Sequence, residues 1–290
     1  MEEWRFNMQD FPIIGAHVST AGGLDKGIDR ALEIGADAMQ IFVSAPQSYR
    51  FTTPDETMVK KFNEKYVASG LRGLFFHSIY LMNLASQEGA KNHLAKQSLV
   101  DYLNTAALLH ADGVVTHIGS STGTTHEQAI ETIQKSINWV LSKTPAETTL
   151  ILEVTAGAGN TIGSQYEHLR DIRAGITDVH RVKTCWDTQH TFASGYDITK
   201  DLDGVLKKYD ELVGIDTLKV IHCNDSKVPF GSHKDRHENI GKGEIGDTVF
   251  MALLKEERLK KLPFMLEVPG MDDKSGPDKE NIEHLRELSK

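Results

Sequence analysis

The sequence predicts one closed (β/α)8 barrel, a TIM barrel, and three observations carry that expectation. Eight short apolar, β-branched runs recur along the chain, amphipathic stretches lie between them, and nearly every run ends in a residue of one narrow chemical kind. In order, the runs span 13–17, 38–43, 73–77, 113–117, 149–153, 182–187, 218–222 and 263–267. Near-continuous apolar runs of this length read as strands buried on both faces, as in a parallel sheet. The stretches at 23–34, 90–109, 127–141, 166–174 and 248–254 carry the helical pattern, and a last helix over 277–288 is expected to close the barrel with Ile282 and Leu285 turned inward. The runs start roughly 25–45 residues apart, which leaves room for a helix in each interval. A doubly wound open sheet would instead need a glycine-rich phosphate turn after the first strand. Ala21-Gly22-Gly23 lies near that place, but G-x-G-x-x-G is absent. The whole chain, 1–290, is therefore expected to form one domain, with the barrel ordered from about residue 11.

Composition narrows the class further. Charged residues are scattered from Glu2 to Lys290, without a run of about twenty apolar residues, which argues against a membrane span. Met1 to Asp10 has no apolar stretch and no small-residue cleavage site, so no secretory signal is read there. Two cysteines, Cys185 and Cys223, are too few for a disulfide framework in 290 residues, and the cytoplasm is the expected compartment. Both are read as small core fillers. The formal charge of −9 argues against a globally basic nucleic-acid binder, although it says nothing of a local patch or of bound metal. Thirteen histidines make position more informative than count.

Seven of the eight runs end in His17, His77, His117, Glu153, Asp187, His222 or Glu267. In a barrel these ends converge on the face where active sites of this fold lie. One such residue would be an ordinary surface polar group, but seven drawn only from His and carboxylates point to metal. Crowded carboxylates raise one another's pKa unless cations neutralise them. Two loop motifs extend the set. Asp187-Thr188-Gln189-His190 puts an acid and an imidazole three residues apart at the start of a helix, and Asp235-Arg236-His237 places Asp and His on one side of an extended segment. Leaving His17 aside, these residues make nine candidate ligands, enough for two or three ions, and five imidazoles with four carboxylates suit zinc or manganese better than magnesium.

Four segments carry a family resemblance: Ile14-Gly15-Ala16-His17-Val18-Ser19 with Ala21-Gly22-Gly23; His77-Ser78-Ile79-Tyr80-Leu81-Met82-Asn83-Leu84; Asp187-Thr188-Gln189-His190 through Gly195-Tyr196-Asp197; and His222-Cys223-Asn224-Asp225-Ser226-Lys227 through Asp235-Arg236-His237. In order and spacing, from about residue 13 to 270, they resemble the endonuclease IV family of apurinic/apyrimidinic endonucleases. The resemblance implies a barrel with three zinc ions, one position accepting manganese, that acts on double-stranded DNA. It would cleave the phosphodiester 5′ to an abasic site, leaving a 3′-hydroxyl and a 5′-deoxyribose phosphate, and would also clean blocked 3′ ends. By the family's pattern His77 and His117 would hold one ion, Asp187, His222 and Glu267 a second, and Glu153 would bridge them as the catalytic carboxylate. His190, Asp235 and His237 would hold the third, and a hydroxide shared by the first two ions would attack the phosphate. His17 is not a ligand in that pattern. Three divalent ions would bring the charge from −9 to −3, easing the approach of a phosphate backbone.

Tyr80 and Leu81 match the family's DNA-inserting pair, and Arg236, between two ligands, is placed for a phosphate contact. Where the family usually offers Arg or Asn beside an aromatic, this chain has Gln47-Ser48-Tyr49, so Tyr49 and Arg50 are the candidates for stacking and charge there. Ile118 and Val154 replace the family's usual Pro and Asn without changing a ligand. The rival enzyme is a divalent-metal sugar isomerase or epimerase on the related barrel, which needs only about four ligands. A catalytically silent metal-dependent DNA-binding or scaffold protein is the reading from another class. No membrane and no obligate protein partner can be read.

Overall fold

In the computed structural model, which describes residues 12–271 and 275–290, the eight runs fold into eight parallel strands. They are β1 (Ile13–His17), β2 (Ala38–Ile41), β3 (Leu74–His77), β4 (Gly113–Thr116), β5 (Leu150–Glu153), β6 (Val182–Asp187), β7 (Leu218–His222) and β8 (Pro263–Leu266). Each pairs with its neighbours in sequence, and β1 pairs with β8 through Ile13 opposite Pro263 and Ala16 opposite Leu266, so the sheet closes. Closure removes the unpaired edge of an open sheet. The reading of Met1 to Asp10 lies outside the described residues.

The helices are α1 (Leu24–Glu33), α2 (Glu56–Ser69), α3 (Gly89–Leu109), α4 (His126–Leu141), α5 (Tyr166–Ala174), α6 (Thr188–Ser194), α7 (Leu202–Leu212), α8 (Asp247–Lys255) and α9 (Lys279–Leu288). Local chemistry starts several of them. Thr125 accepts from the Gln128 N–H in a reciprocal capping box, and Asp55, Asp201 and Asp278 cap α2, α7 and α9 through their carboxylates. In α3, Ala95, Leu99, Leu103 and Ala106 recur at helical spacing and are fully buried or nearly so. Ile282 and Leu285 of α9 are buried, as the pattern of that segment predicts. No described helix is long and apolar enough to cross a membrane. Helices α2 and α7 are not among the stretches that periodicity picks out; α2 buries only Phe62 among its residues, which leaves little pattern to read.

Strand alternation divides the core in two. Ile14, Met39, Ile41, Leu74, Phe76, Val114, Leu150, Leu152, Trp186, Ile221, Phe264 and Leu266 belong to the large cluster beneath the helices. The intervening residues Ala38, Phe75, Val115, Ile151, Cys185, Val220 and Met265, with Ile13 against them, form a separate cluster that fills the barrel. Every strand contributes one member to this inner ring.

Room in that ring is tight at β1. A Cβ on Gly15 would lie 2.5 Å from Met265 Sδ and 2.8 Å from the Ala38 carbonyl oxygen, so the close approach there requires glycine. Gly15→Ala is expected to cost about 1–3 kcal/mol by forcing β1 and β2 apart and the Met265 side chain aside. Urea denaturation measures it, and an unchanged midpoint would mean that the barrel wall yields freely at this point.

Candidate metal centre

Two residues beyond the inner apolar ring, the same inward face of the barrel turns polar. Counting on by two from Ala38, Phe75, Val115, Ile151, Cys185, Val220 and Met265 gives Gln40, His77, His117, Glu153, Asp187, His222 and Glu267. From β1 comes His17. All eight strands thus feed one cluster at the C-terminal mouth, with Glu153, Asp187 and His222 fully buried.

Glu153 lies at its centre. One oxygen, Oε2, is 3.2 Å from both His77 Nε2 and His117 Nε2. The other, Oε1, is 3.0 Å from His222 Nδ1 and 3.2 Å from His190 Nδ1. Around His222 Nδ1, Glu267 Oε2 stands at 3.2 Å and Asp187 Oδ2 at 3.9 Å. His77, His117 and Glu153 form one compact set of ligand atoms, and Glu153, Asp187, His222 and Glu267 form a second that shares Glu153.

The third group is built by loops. Asp187 caps α6, its Oδ1 accepting the His190 backbone N–H at 2.7 Å, which sets His190 one turn in and facing the mouth. Residues 225–226 and 237–238 pair as a two-stranded antiparallel ribbon that puts Ser226 opposite His237. Buried Gln189 clamps the intervening loop, donating to the Lys234 carbonyl at 3.0 Å and accepting from the Arg236 N–H at 3.3 Å. Asp235 then offers Oδ2 to His190 Nε2 at 3.3 Å and Oδ1 to His237 Nε2 at 3.4 Å. His190 groups closely with His117 and Asp235, and also with Asp187 and His237.

Which ring nitrogen faces the centre is fixed from behind. His77, His190 and His237 each have Nδ1 against a backbone carbonyl, those of Ser78, Val154 and Glu267, at 2.8, 2.9 and 3.1 Å. A carbonyl only accepts, so Nδ1 carries the proton and Nε2 presents a lone pair inward. The Nε2 atoms of His190 and His237 are buried without a hydrogen-bond partner. Bare nitrogens facing carboxylate oxygens want a cation between them, and the donor set fits divalent metal.

The electrostatics agree. Burial alone would push the carboxyls of Glu153, Asp235 and Glu267 upward, but the surrounding imidazoles prevail and hold all three well below the ordinary range. Burial conversely pulls His117, His190 and His222 down, and the neighbouring carboxylates, preceded at His222 by the Cys185 sulfur, overcome it and raise all three.

Several neighbours carry roles that residue type alone does not reveal. Asn224, fully buried, donates to Asp187 Oδ2 at 2.7 Å and accepts from the Glu267 N–H at 2.7 Å. His17 Nδ1 donates to Glu267 Oε1 at 2.8 Å. Cys185 lies near Glu153 and His222, but burial pushes its thiol up to about 12 and it packs in the inner apolar ring. Cys223 is buried as well.

The mouth opens into a cavity of about 760 Å³ whose lining includes His17, Phe42, Tyr80, Arg236 and Pro277. At its rim Tyr80 and Leu81 are 62% and 46% exposed, an uncommon display of two large apolar groups side by side. Two bonds from the loop after β2 hold them there: the Tyr80 N–H reaches the Pro46 carbonyl at 2.8 Å, and the Tyr49 hydroxyl donates to the Leu81 carbonyl at 2.6 Å. Tyr49 is partly buried against the core, whereas Arg50 and Arg236 are exposed.

Residues 28–288 match the family described as xylose isomerase-like TIM barrel. A probable endonuclease 4 of Halothermothrix orenii is 39% identical over 269 residues, covering 92% of this chain and 96% of its own. A second, from Geotalea daltonii, is 35% identical over 98% of this chain and 99% of its own. The crystal structure of endonuclease IV from Thermus thermophilus superimposes with a TM-score of 0.84 at 33% identity, covering 96% of this chain and 98% of that one. A D-tagatose 3-epimerase-like protein has a TM-score of 0.69 at 17% identity over 94% of this chain and 96% of its own, a likeness of fold.

Cys185→Ala is expected to retain the divalent-ion content of the unsubstituted protein. Plasma-emission analysis after gel filtration reads this directly, and loss of one equivalent would make the thiol a ligand.

Proposed function

Because the chain belongs to the endonuclease IV family of xylose isomerase-like TIM barrels, we propose that it is a DNA-repair hydrolase which incises the phosphodiester 5′ to abasic sites in double-stranded DNA. The products are a 3′-hydroxyl and a 5′-deoxyribose phosphate, and the same chemistry would remove blocking groups at 3′ ends. The observation that carries this reading is the size of the ligand set. Glu153, Asp187, His222 and Glu267 alone would serve an isomerase or epimerase, but His77, His117, His190, Asp235 and His237 extend the cluster toward the cavity mouth. A carbon acid needs no such extension, whereas an in-line phosphoryl displacement has both an entering and a leaving oxygen to stabilise.

In this reading His77, His117 and Glu153 would hold one zinc ion, Glu153, Asp187, His222 and Glu267 a second, and His190, Asp235 and His237 a third, with manganese acceptable at one position. Bound, the ions would supply Lewis-acid stabilisation of phosphoryl charge and a nucleophile available at neutral pH. The protein's own groups do the rest. Glu153 divides its two oxygens between separate pairs of imidazoles and so fixes the spacing of two groups. Arg236, exposed at the rim, donates to a flanking phosphate. Tyr80 and Leu81 enter the helix where a base is missing, because unstacking costs least where the stack is already interrupted. Tyr49 supports this pair from behind, and Arg50 meets the backbone alongside it. The protein works in the cytoplasm as one barrel domain.

Incubation with a duplex containing one abasic site decides between nuclease and epimerase. Cleavage 5′ to the lesion, abolished by a strong chelator, is the expected result; an intact duplex with turnover of a ketose would favour the rival. Glu153→Gln should lower kcat by about 10² or more while the far-ultraviolet circular dichroism spectrum stays native, since one carboxylate organises two groups. Near-normal turnover would remove Glu153 from that role. Replacing Tyr80 and Leu81 together by Ala should weaken binding to abasic duplex more than to intact duplex, the stacking contact of Tyr80 alone being worth roughly 1–3 kcal/mol. Equal weakening on the two duplexes would limit the pair to loop support.

A further inference from the structure

Seven of the eight strands bring His or carboxylate to the metal centre; β2 brings an amide. Gln40 is fully buried inside the barrel, flanked in register by His17 on β1 and Phe75 on β3. A buried amide with both ends engaged needs partners of defined polarity, and Gln40 has them. Its Oε1 lies 2.9 Å from His222 Nε2. Its Nε2 lies 2.6 Å from Glu267 Oε1. The reverse orientation would oppose an amide oxygen to a carboxylate oxygen, so the chemistry permits only this one.

The consequences reach the ligand atoms. An amide oxygen can only accept, so His222 must carry its proton on Nε2, which leaves Nδ1 to face Glu153, Asp187 and Glu267. His77, His190 and His237 are protonated on the opposite nitrogen by backbone carbonyls. His222 is thus set apart from them, and Gln40 is what reverses it. On Glu267, Oε1 is occupied by the Gln40 amide and His17 Nδ1, so Oε2 alone turns to the cluster.

Resting on the metal-centre reading above, we propose that Gln40 is a positioning residue for the Glu153–Asp187–His222–Glu267 group: it selects the ring nitrogen that His222 presents and the oxygen that Glu267 presents. It touches no substrate atom. Its effect falls on one metal position and leaves the His190–Asp235–His237 group, which shares no bond with it, unchanged.

The test has two arms on the zinc-loaded full chain. In the unsubstituted protein, long-range 15N–1H correlation of the imidazoles should show His222 protonated on Nε2 and His77, His190 and His237 on Nδ1. His222 protonated on Nδ1 would overturn the proposal without any variant. In the second arm, Gln40→Met keeps the volume and removes both hydrogen bonds. Titration with a graded series of chelators should then release one zinc equivalent at about 10–100-fold weaker affinity, the other equivalents holding as before and the urea midpoint staying close to that of the parent. A folded Gln40→Met protein with every zinc affinity unchanged would overturn the role of Gln40 and leave the metal centre standing. An unsubstituted protein that takes up no zinc would overturn the metal reading itself, and this proposal with it.

Discussion

The two-residue period of a β-strand governs this molecule. Inside a closed barrel, residues i and i+2 point the same way, about 7 Å apart along the strand. The inner apolar ring of Ala38, Phe75, Val115, Ile151, Cys185, Val220 and Met265 therefore has directly above it a ring of Gln40, His77, His117, Glu153, Asp187, His222 and Glu267. The first excludes water beneath the second. Charges above such a floor interact more strongly than they would in solvent, and that follows from strand geometry without any special loop. Met39, Ile41, Phe76 and their counterparts face the opposite way, into the layer beneath the helices, so one alternation serves both the stability of the wall and the chemistry of its mouth.

Burying Glu153 and Asp187, with Glu267 largely covered, among imidazoles is not a route to stability. Desolvation of paired charges commonly offsets their attraction, and an apolar filling would hold the barrel at least as well. The surroundings instead fix orientation. Backbone carbonyls of Ser78, Val154 and Glu267 hold three rings from behind, Asn224 ties Asp187 to the backbone of Glu267, and Gln40 with His17 occupies the far oxygen of Glu267. Few lone pairs are left to choose their own direction. The imidazole nitrogens of His190 and His237 that lack any hydrogen-bond partner are, in this setting, the atoms reserved for a ligand.

Much of this is legible in the sequence because both the fold and the ligand set repeat. Eight apolar runs become eight strands, and the strand-end residues converge. Gln40 escapes for a definite reason: the run around it continues through Ile41, Phe42 and Val43, so it does not stand at an end, and an amide is no metal ligand. The pleat would find it, since Gln40 stands two residues after Ala38 just as Glu153 stands two after Ile151. Asn224 and Gln189 sit inside recognisable motifs, yet their work lies in bonds to Asp187 and to the Lys234 carbonyl, contacts that spacing cannot forecast. Helix α2 escapes a reading by periodicity because it buries only Phe62 and carries a weak pattern; α7 does carry one, with Val205, Leu206 and Tyr209 buried on one side, and a reading centred on the strands passes over it. Tyr49 reads as a residue free to stack; only the tertiary structure shows its hydroxyl bonded to the Leu81 carbonyl.

The centre is consequently divided between rigid and adaptable parts. The six candidate ligands His77, His117, Glu153, Asp187, His222 and Glu267 stand at or one residue beyond the ends of hydrogen-bonded strands, where register fixes them. Asp235 and His237 come from a loop and hold their place through a two-residue ribbon and the side chain of Gln189. Tyr80 and Leu81 depend on two bonds to the loop after β2. Gln47-Ser48-Tyr49, the segment where the sequence departs from the resemblance, falls in that same loop. A barrel with its chemistry in the wall can vary the loops that meet the substrate without disturbing the reacting centre. In this chain the Tyr49 hydroxyl holds the backbone from which Tyr80 and Leu81 project, so under the proposed function Tyr49 acts as a support and recognition at the rim falls to that pair and to the cations beside it.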